Sequence, residues 1–324
     1  MQDAHDETDG VFNVCTWETV LVEAREIVSR DEFMGNIISP MLLAHDSFSS
    51  CLTSMLAEQF ATERISTITW KQLFLSAHNH QLYEPHMGSA EAMGLLDLAS
   101  IPARDPASDG VVNPFLNFKG FKAVQSHRIA HILWHQGRHD AARAVQSRCS
   151  DLYAVDIHPA AVIDAGLMID HGTGVVIGAT AVVGRNCSFL HGVTLGSSGK
   201  GMGDRHPKVG HDVLIGCNST ILGNITIGDC CTIGSGSIVL KPLPCGSTAV
   251  GNPARIVGRS LCCSAAASMD TALKHVVTAK GTSYEESYSV WGDMDEAKSE
   301  NGVIRAPLVG GVEGIEGIEQ VMGK

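Results

Sequence analysis

From residue 16 to about 149 the apolar positions recur three and four apart. Val20, Leu21, Ala24, Ile27 and Val28 set the pattern, which puts one apolar face on a helix. Residues 41–60 and 70–83 read the same way, punctuated by Pro40, Pro85, Gly88, Pro102 and Pro106. Asn113-Pro114 predicts a further helix start, with Asn as cap and Pro in the first turn, running to about 134–136 and stopping at Gly137. At Ile157 the period changes. Aliphatic residues now recur every six positions: Ile157, Ile163 and Ile169; then Ile177, Val183, Phe189 and Leu195; then Val209, Ile215, Ile221, Ile227, Ile233 and Val239. Neither a helix nor a single strand explains a six-residue beat. A parallel β-helix does, with three hexads closing one triangular coil and each aliphatic residue pointing into the prism. Gly follows the aliphatic residue at 178, 184, 210, 216, 228 and 234, where a positive φ would cost little at a corner.

The beat slips twice. From Ile169 to Ile177 the step is eight, with Asp170-His171-Gly172-Thr173-Gly174 between, and from Leu195 to Val209 it is fourteen, across a polar, Gly-rich segment from Gly196 to Lys208. A regular solenoid needs neither interruption, and insertions in repeat proteins gather on the binding face. The expected organisation is a disordered acidic tail (1–15), an α-helical domain (16–152), a left-handed parallel β-helix (153–259) and a largely disordered tail (260–324), with a short helix near 269–278.

Composition narrows the function. With 324 residues, 44% hydrophobic and 18% charged, the chain reads as a globular protein, and no apolar run approaches the roughly 18–20 residues of a membrane span. A net charge of −12 supplies no basic footprint for nucleic acid. The ten cysteines are scattered without a C-x-x-C, which argues for reduced thiols in a cytoplasmic compartment rather than a disulfide or zinc framework. The acidic start has no signal-peptide character; a location in an organelle through a removed presequence stays open. His127, His131 and His135 lie one helical turn apart, with no acidic or Cys ligand to support them, so a packing face is expected and not a metal site.

The interruptions hold candidate chemistry. His171, between Asp170 and two glycines, has a ring whose ordinary pKa suits proton abstraction near neutral pH, and Asp156 on the preceding coil is placed to orient it. Arg205 and His206 either bind an anion or form a solvated loop; with Asp105 and Asp170 to hold an ammonium they would recognise a zwitterionic amino acid. Amides of the 196–199 turn could stabilise an oxyanion. Lys200, Lys208, Lys241, Arg255 and Arg259 could meet phosphates, although no phosphate-loop motif is present.

Six segments together resemble the serine O-acetyltransferases of cysteine biosynthesis: Asp156-Ile157-His158-Pro159, Asp170-His171-Gly172-Thr173-Gly174, Val193-Thr194-Leu195-Gly196, Gly203-Asp204-Arg205-His206-Pro207-Lys208, Ile221-Leu222-Gly223-Asn224 and the stretch from Gly251 to Gly258. The resemblance spans roughly 16–259. It implies acetyl transfer from acetyl-CoA to L-serine, with no metal. His171 is then the base, Asp156 its support, and Asp105, Asp170, Arg205 and His206 bind serine or the inhibitor L-cysteine. Gly196, Ser197, Gly199, Gly216, Cys217 and Ser235 would line a CoA groove between neighbouring β-helices of a trimer, which the family commonly pairs into a hexamer. The chain departs from the family pattern at Ser197-Ser198, at Ala179, where a Glu is usual, and at its last residues, Val321-Met322-Gly323-Lys324, where many members carry the Ile that docks into O-acetylserine sulfhydrylase. Rival readings are acetylation of another hydroxyl, a zinc hydratase like the γ-carbonic anhydrases using His206, His211 and His171 or His191, and a non-enzymatic regulatory subunit.

Overall fold

The computed structural model describes residues 15–78, 89–199, 201–260 and the strand Val276–Val277. Its first half is helical: α1 (Trp17–Arg30), α2 (Glu32–Ile38), a short π-turn (Ser39–Leu43), α3 (Phe48–Phe60), α4 (Thr67–His78), α5 (Ala90–Ser100), α6 (Val112–Asn117), α7 (Lys119–His135) and α8 (His139–Tyr153). Thr16 starts α1 with a reciprocal capping box to Thr19. Edge-to-face and tilted rings hold the helices together: Trp17, Phe48 and Phe115 in one group, and Phe60, Trp70, Phe74 and Tyr153 in another.

The Asn113-Pro114 start is corrected in two ways. Helix α6 begins at Val112 without a side-chain cap from its own segment. Instead the carboxylate of Glu23, on α1, accepts the Val111 and Val112 amides at 2.9 and 3.0 Å. The helix also does not run on to 136, because Phe118 is extended and separates α6 from α7. Gly137 does end α7, at φ +75° with its amide on the Trp134 carbonyl.

The second half winds as a parallel β-helix. Its first face stacks β1 (Val155–Ile157), β4 (Val175–Ile177), β7 (Thr194–Gly196), β10 (Thr220–Leu222) and β13 (Ile238–Val239). The second stacks β2 (Val162–Ile163), β5 (Val182–Val183), β8 (Lys208–Val209) and β11 (Thr226–Ile227). The third stacks β3 (Met168–Ile169), β6 (Ser188–Phe189), β9 (Leu214–Ile215), β12 (Thr232–Ile233) and β14 (Ser247–Val250). It continues antiparallel into β15 (Arg255–Ser260) and β16 (Val276–Val277). Where a helix near 269–278 was expected, Val276 and Val277 thus pair as a strand; two β-branched residues suit a sheet edge better than a helix. The remainder of both expected tails lies outside the described residues.

The hexad residues stack in register, Ile157 on Ile177, Ile177 on Leu195, Leu195 on Ile221 and Ile221 on Val239, and the thirteen positions of the beat are all at most 4% exposed. The glycines that follow them are not needed for positive φ, which none of the six adopts. They are needed for space. A Cβ would lie 2.7 Å from the Gly210 carbonyl at Gly184, 2.6 Å from the Ser235 amide at Gly216 and 2.4 Å from the Cys245 amide at Gly228. Successive coils approach too closely there for any side chain. The left-handed backbone instead stacks further along the corners, at Gly166, Asn186, Asp212, Cys230 and Gly246 on one and at Gly192, Asn218 and Gly236 on another.

A solenoid's first coil has backbone groups with no coil before it, and these must find other partners. The helical half of the chain provides most of them. Arg128 donates to the Ile163 and Asp164 carbonyls, Arg104 to that of Gly166, and the His131 ring bonds the Pro159 carbonyl; Arg104 also reaches the Cys187 carbonyl on the second coil. Asp97 accepts the Gly166 amide at 2.8 Å and holds Arg128 in a two-point pair at 2.7 and 2.8 Å, with Gln125 as a further donor. Asp97, Arg128 and Gln125 are all 5% exposed or less. His127 and His131 are buried beside them and pack as expected, whereas His135, one turn further on, is exposed.

Candidate active site

The two slips in the beat fall at different corners of the prism. Residues 170–174 lie at the corner between the third and first faces, together with 190–193, 216–219 and 234–237. The described residues of the long segment, 197–199 and 201–207, lie at the corner between the first and second faces, together with 158–161, 178–181 and 223–225.

At the first of these corners His171 sits in the left-handed region, φ +55°, with its side chain 76% exposed. Its Nε2 lies 3.8 Å from the Asp170 carboxylate, which is 22% exposed. The ring of His191, one coil on, crosses it edge-to-face at 5.9 Å, and the Nδ1 of His191 is buried without a hydrogen-bond partner among the described residues. Helix α7 fixes this loop. Lys119 donates to the Thr173 hydroxyl, and Gly120 lies so close to β3 that a Cβ would be 2.0 Å from the Ile169 carbonyl oxygen. No repeat or spacing marks Lys119 and Gly120 in the sequence, because they act from another element.

Asp156, on β1, accepts the Gln146 amide at 2.7 Å, the one hydrogen bond its carboxylate makes among the described residues. Asp105 lies between α5 and α6, its carboxylate taken by the Ala107 amide at 2.8 Å. The neighbouring Arg104 ties this segment to the third face through the Cys187 carbonyl and the Ser188 hydroxyl. Gly216, Cys217 and Ser235 also lie at the His171 corner, on later coils.

At the second corner His158, Thr180, Arg205 and His206 occupy successive coils. The Thr180 hydroxyl oxygen accepts the Arg205 and His206 amides at 3.0 and 3.1 Å. Lys208 donates to the Asp204 carboxylate and to the His206 carbonyl, and Asn224 also donates to Asp204, which braces the loop. The Arg205 guanidinium makes no hydrogen bond among the described residues, and neither does Nε2 of His206. Two donors thus face outward side by side. Burial, then the charges of Arg205 and Lys208, pushes the His206 imidazole below its ordinary value. His158 is also lowered, by burial and then by Arg143. The 196–199 turn differs from expectation in one respect. The Gly199 amide is engaged by the Ser197 hydroxyl at 3.1 Å, so it is not a spare oxyanion donor. Among the described residues no group of three His, Cys, Asp or Glu side chains is placed to hold a metal ion.

A parallel β-helix of hexapeptide coils, carrying an exposed imidazole at one corner and the unused donors of Arg205 and His206 at another, defines a hexapeptide-repeat acyltransferase. Residues 206–241 match the bacterial transferase hexapeptide family, and residues 16–126 match the serine acetyltransferase N-terminal family. Serine acetyltransferase 1, chloroplastic, of Arabidopsis thaliana is 47% identical over 242 residues, covering 75% of each chain. A crystal structure of serine acetyltransferase from Brucella abortus in complex with coenzyme A superposes with a TM-score of 0.70 at 41% identity, covering 76% of this chain and 96% of that one. Soybean serine acetyltransferase complexed with serine gives 0.70 at 42%, covering 76% and all of its own chain. The chain belongs to the serine acetyltransferase family.

Proposed function

We propose that this serine O-acetyltransferase transfers acetyl from acetyl-CoA to the hydroxyl of L-serine, the step that supplies O-acetyl-L-serine for cysteine biosynthesis, with His171 as the base. The observation that carries the reading is the exposed His171 ring on a loop that α7 clamps in place. A serine hydroxyl is a poor nucleophile at neutral pH, and a neutral imidazole within reach removes that barrier. His171 takes the hydroxyl proton as the serine oxygen attacks the thioester carbonyl. The tetrahedral intermediate expels CoA thiolate, and the imidazolium returns the proton to sulfur. Asp170, 3.8 Å from Nε2, supports that imidazolium, and Asp156 has the part of orienting the ring that the family resemblance implies. Asp105 and Asp170 hold the serine ammonium, and Arg205 and His206 its carboxylate.

These groups belong to two chains. Along the first face the His171 corner and the Arg205 corner are separated by at least a three-residue strand, about 10 Å, which one serine does not span. A threefold assembly brings the first corner of one chain against the second corner of the next. Gly196, Ser197 and Gly199 then face Gly216, Cys217 and Ser235 of a neighbour across the CoA groove. We also propose that L-cysteine, with the same ammonium and carboxylate, competes for the serine position.

The test is CoA release with L-serine, homoserine and sugars as acceptors, repeated with L-cysteine. His171→Ala should lower kcat by about 10²–10⁴-fold while the protein still binds CoA. Near-normal turnover in that variant would remove His171 from the mechanism. A preference for another acceptor would move the reading to a different hydroxyl.

A further inference from the structure

We propose that Thr180 is a positioning residue that fixes His206 as the Nε2–H tautomer, so that the ring meets the substrate carboxylate with a donor and never with a lone pair. The inference rests on the serine reading above for its consequence, but its geometry stands by itself. The Thr180 oxygen already accepts two backbone amides, those of Arg205 at 3.0 Å and His206 at 3.1 Å. A hydroxyl has two acceptor sites and one proton. Two acceptors remain for its proton, the Asp204 carboxylate and Nδ1 of His206, and only Nδ1 lies within full hydrogen-bonding geometry, 2.9 Å away. The Thr180 backbone amide points at the same nitrogen from 3.2 Å. An Nδ1 that receives two hydrogen bonds carries no proton in the neutral ring, which leaves the proton on Nε2.

Nε2 has no partner among the described residues, although His206 is only 6% exposed. The nitrogen itself is not among the buried polar atoms left without a partner, so it reaches solvent and its proton is free to meet a ligand oxygen. Gly178 makes the ring position possible: a Cβ there would lie 2.1 Å from Nε2. The charged and titratable groups that face the ring are Arg205, Lys208 and His158, which disfavour a second proton, and Asp204, which favours one. Three against one, together with burial, keeps the ring neutral. In the sequence Thr180 stands 26 residues from His206 and beside Ala179, where the family's usual Glu is missing; the Thr, not its neighbour, is the group that reaches the site ring.

The test uses the full-length enzyme labelled with ¹⁵N-histidine, with His206 assigned by difference against His206→Asn. The wild type should show an unprotonated Nδ1 and a protonated Nε2 across neutral pH. A protonated Nδ1 would overturn the proposal without touching the assignment of serine as substrate. In kinetics, Thr180→Val should raise the KM for serine by about ten-fold or more, the loss of a hydrogen bond to a charged group. The KM for acetyl-CoA should hold, and Thr180→Ser should restore the wild-type value. Equal behaviour of the Val and Ser variants, or a matching rise in the acetyl-CoA KM, would count against a tautomer role. Should Thr180→Val not fold, the wild-type and Thr180→Ser spectra decide alone. A wild type that does not acetylate serine would instead refute the functional reading and leave the tautomer result intact.

Discussion

Asp97→Ala should be the most damaging single change outside the β-helix core. Asp97 is 1% exposed and serves four donors at once: Nε and the terminal nitrogen of Arg128, the Gln125 amide and the Gly166 backbone amide. Its removal leaves a guanidinium 5% exposed with no counter-charge. Breaking a buried pair in this way costs about 3–5 kcal/mol, and the orphaned Gly166 amide adds to it. Urea unfolding measures the loss. It should be followed at several protein concentrations, because assembly adds stability by mass action. The double variant with Arg128→Met separates the two contributions. It should recover part of the loss by removing the stranded charge, but not all, because Arg128 also satisfies the Ile163 and Asp164 carbonyls. A loss for Asp97→Ala no larger than the roughly 1 kcal/mol of an ordinary substitution would refute the idea that this hub caps the open end of the solenoid.

Gly120→Ala forces a Cβ to within 2.0 Å of the Ile169 carbonyl, so helix or strand must shift. The expected cost is about 1–3 kcal/mol, read by thermal unfolding, with kcat falling more than the KM for acetyl-CoA because Ile169 leads directly into Asp170 and His171. Burial, then the neighbouring His131 and Arg128, holds the His127 ring well below its ordinary value, with His158 acting in the same direction. Below about pH 6.5 the unfolded chain therefore binds a proton that the folded ring refuses, and stability falls as pH drops, by at most ~1.4 kcal/mol per unit. His127→Gln should flatten that slope, and unchanged slopes in the two proteins would exclude the assignment.

Much of the architecture was legible because its cause is local and periodic. An inward aliphatic residue at every sixth position is a direct consequence of a three-sided coil, and each such residue is buried where the beat places it. The helical stretch was equally readable from its apolar face, while its breaks were less so. Phe118 ends α6 by adopting an extended backbone, and no Pro or Gly marks the place. The cap of α6 comes from Glu23, far back in the chain, so the plausible local candidate Asn113 was passed over.

The sequence by itself determined the β-helix, the positions of its two slips and the residues in them able to carry acid–base and anion chemistry. The tertiary structure alone decided where each slip lands. Because the coil has three sides, the two insertions open at different corners, and the residues that read as one site divide between them. The fold also decided what the hexad glycines are for, since coil-to-coil distance is a property of stacked turns and is not written in any one of them. It alone showed Thr180 against His206 and Asp97 against Gly166, contacts between distant segments that exist only once the coils have closed.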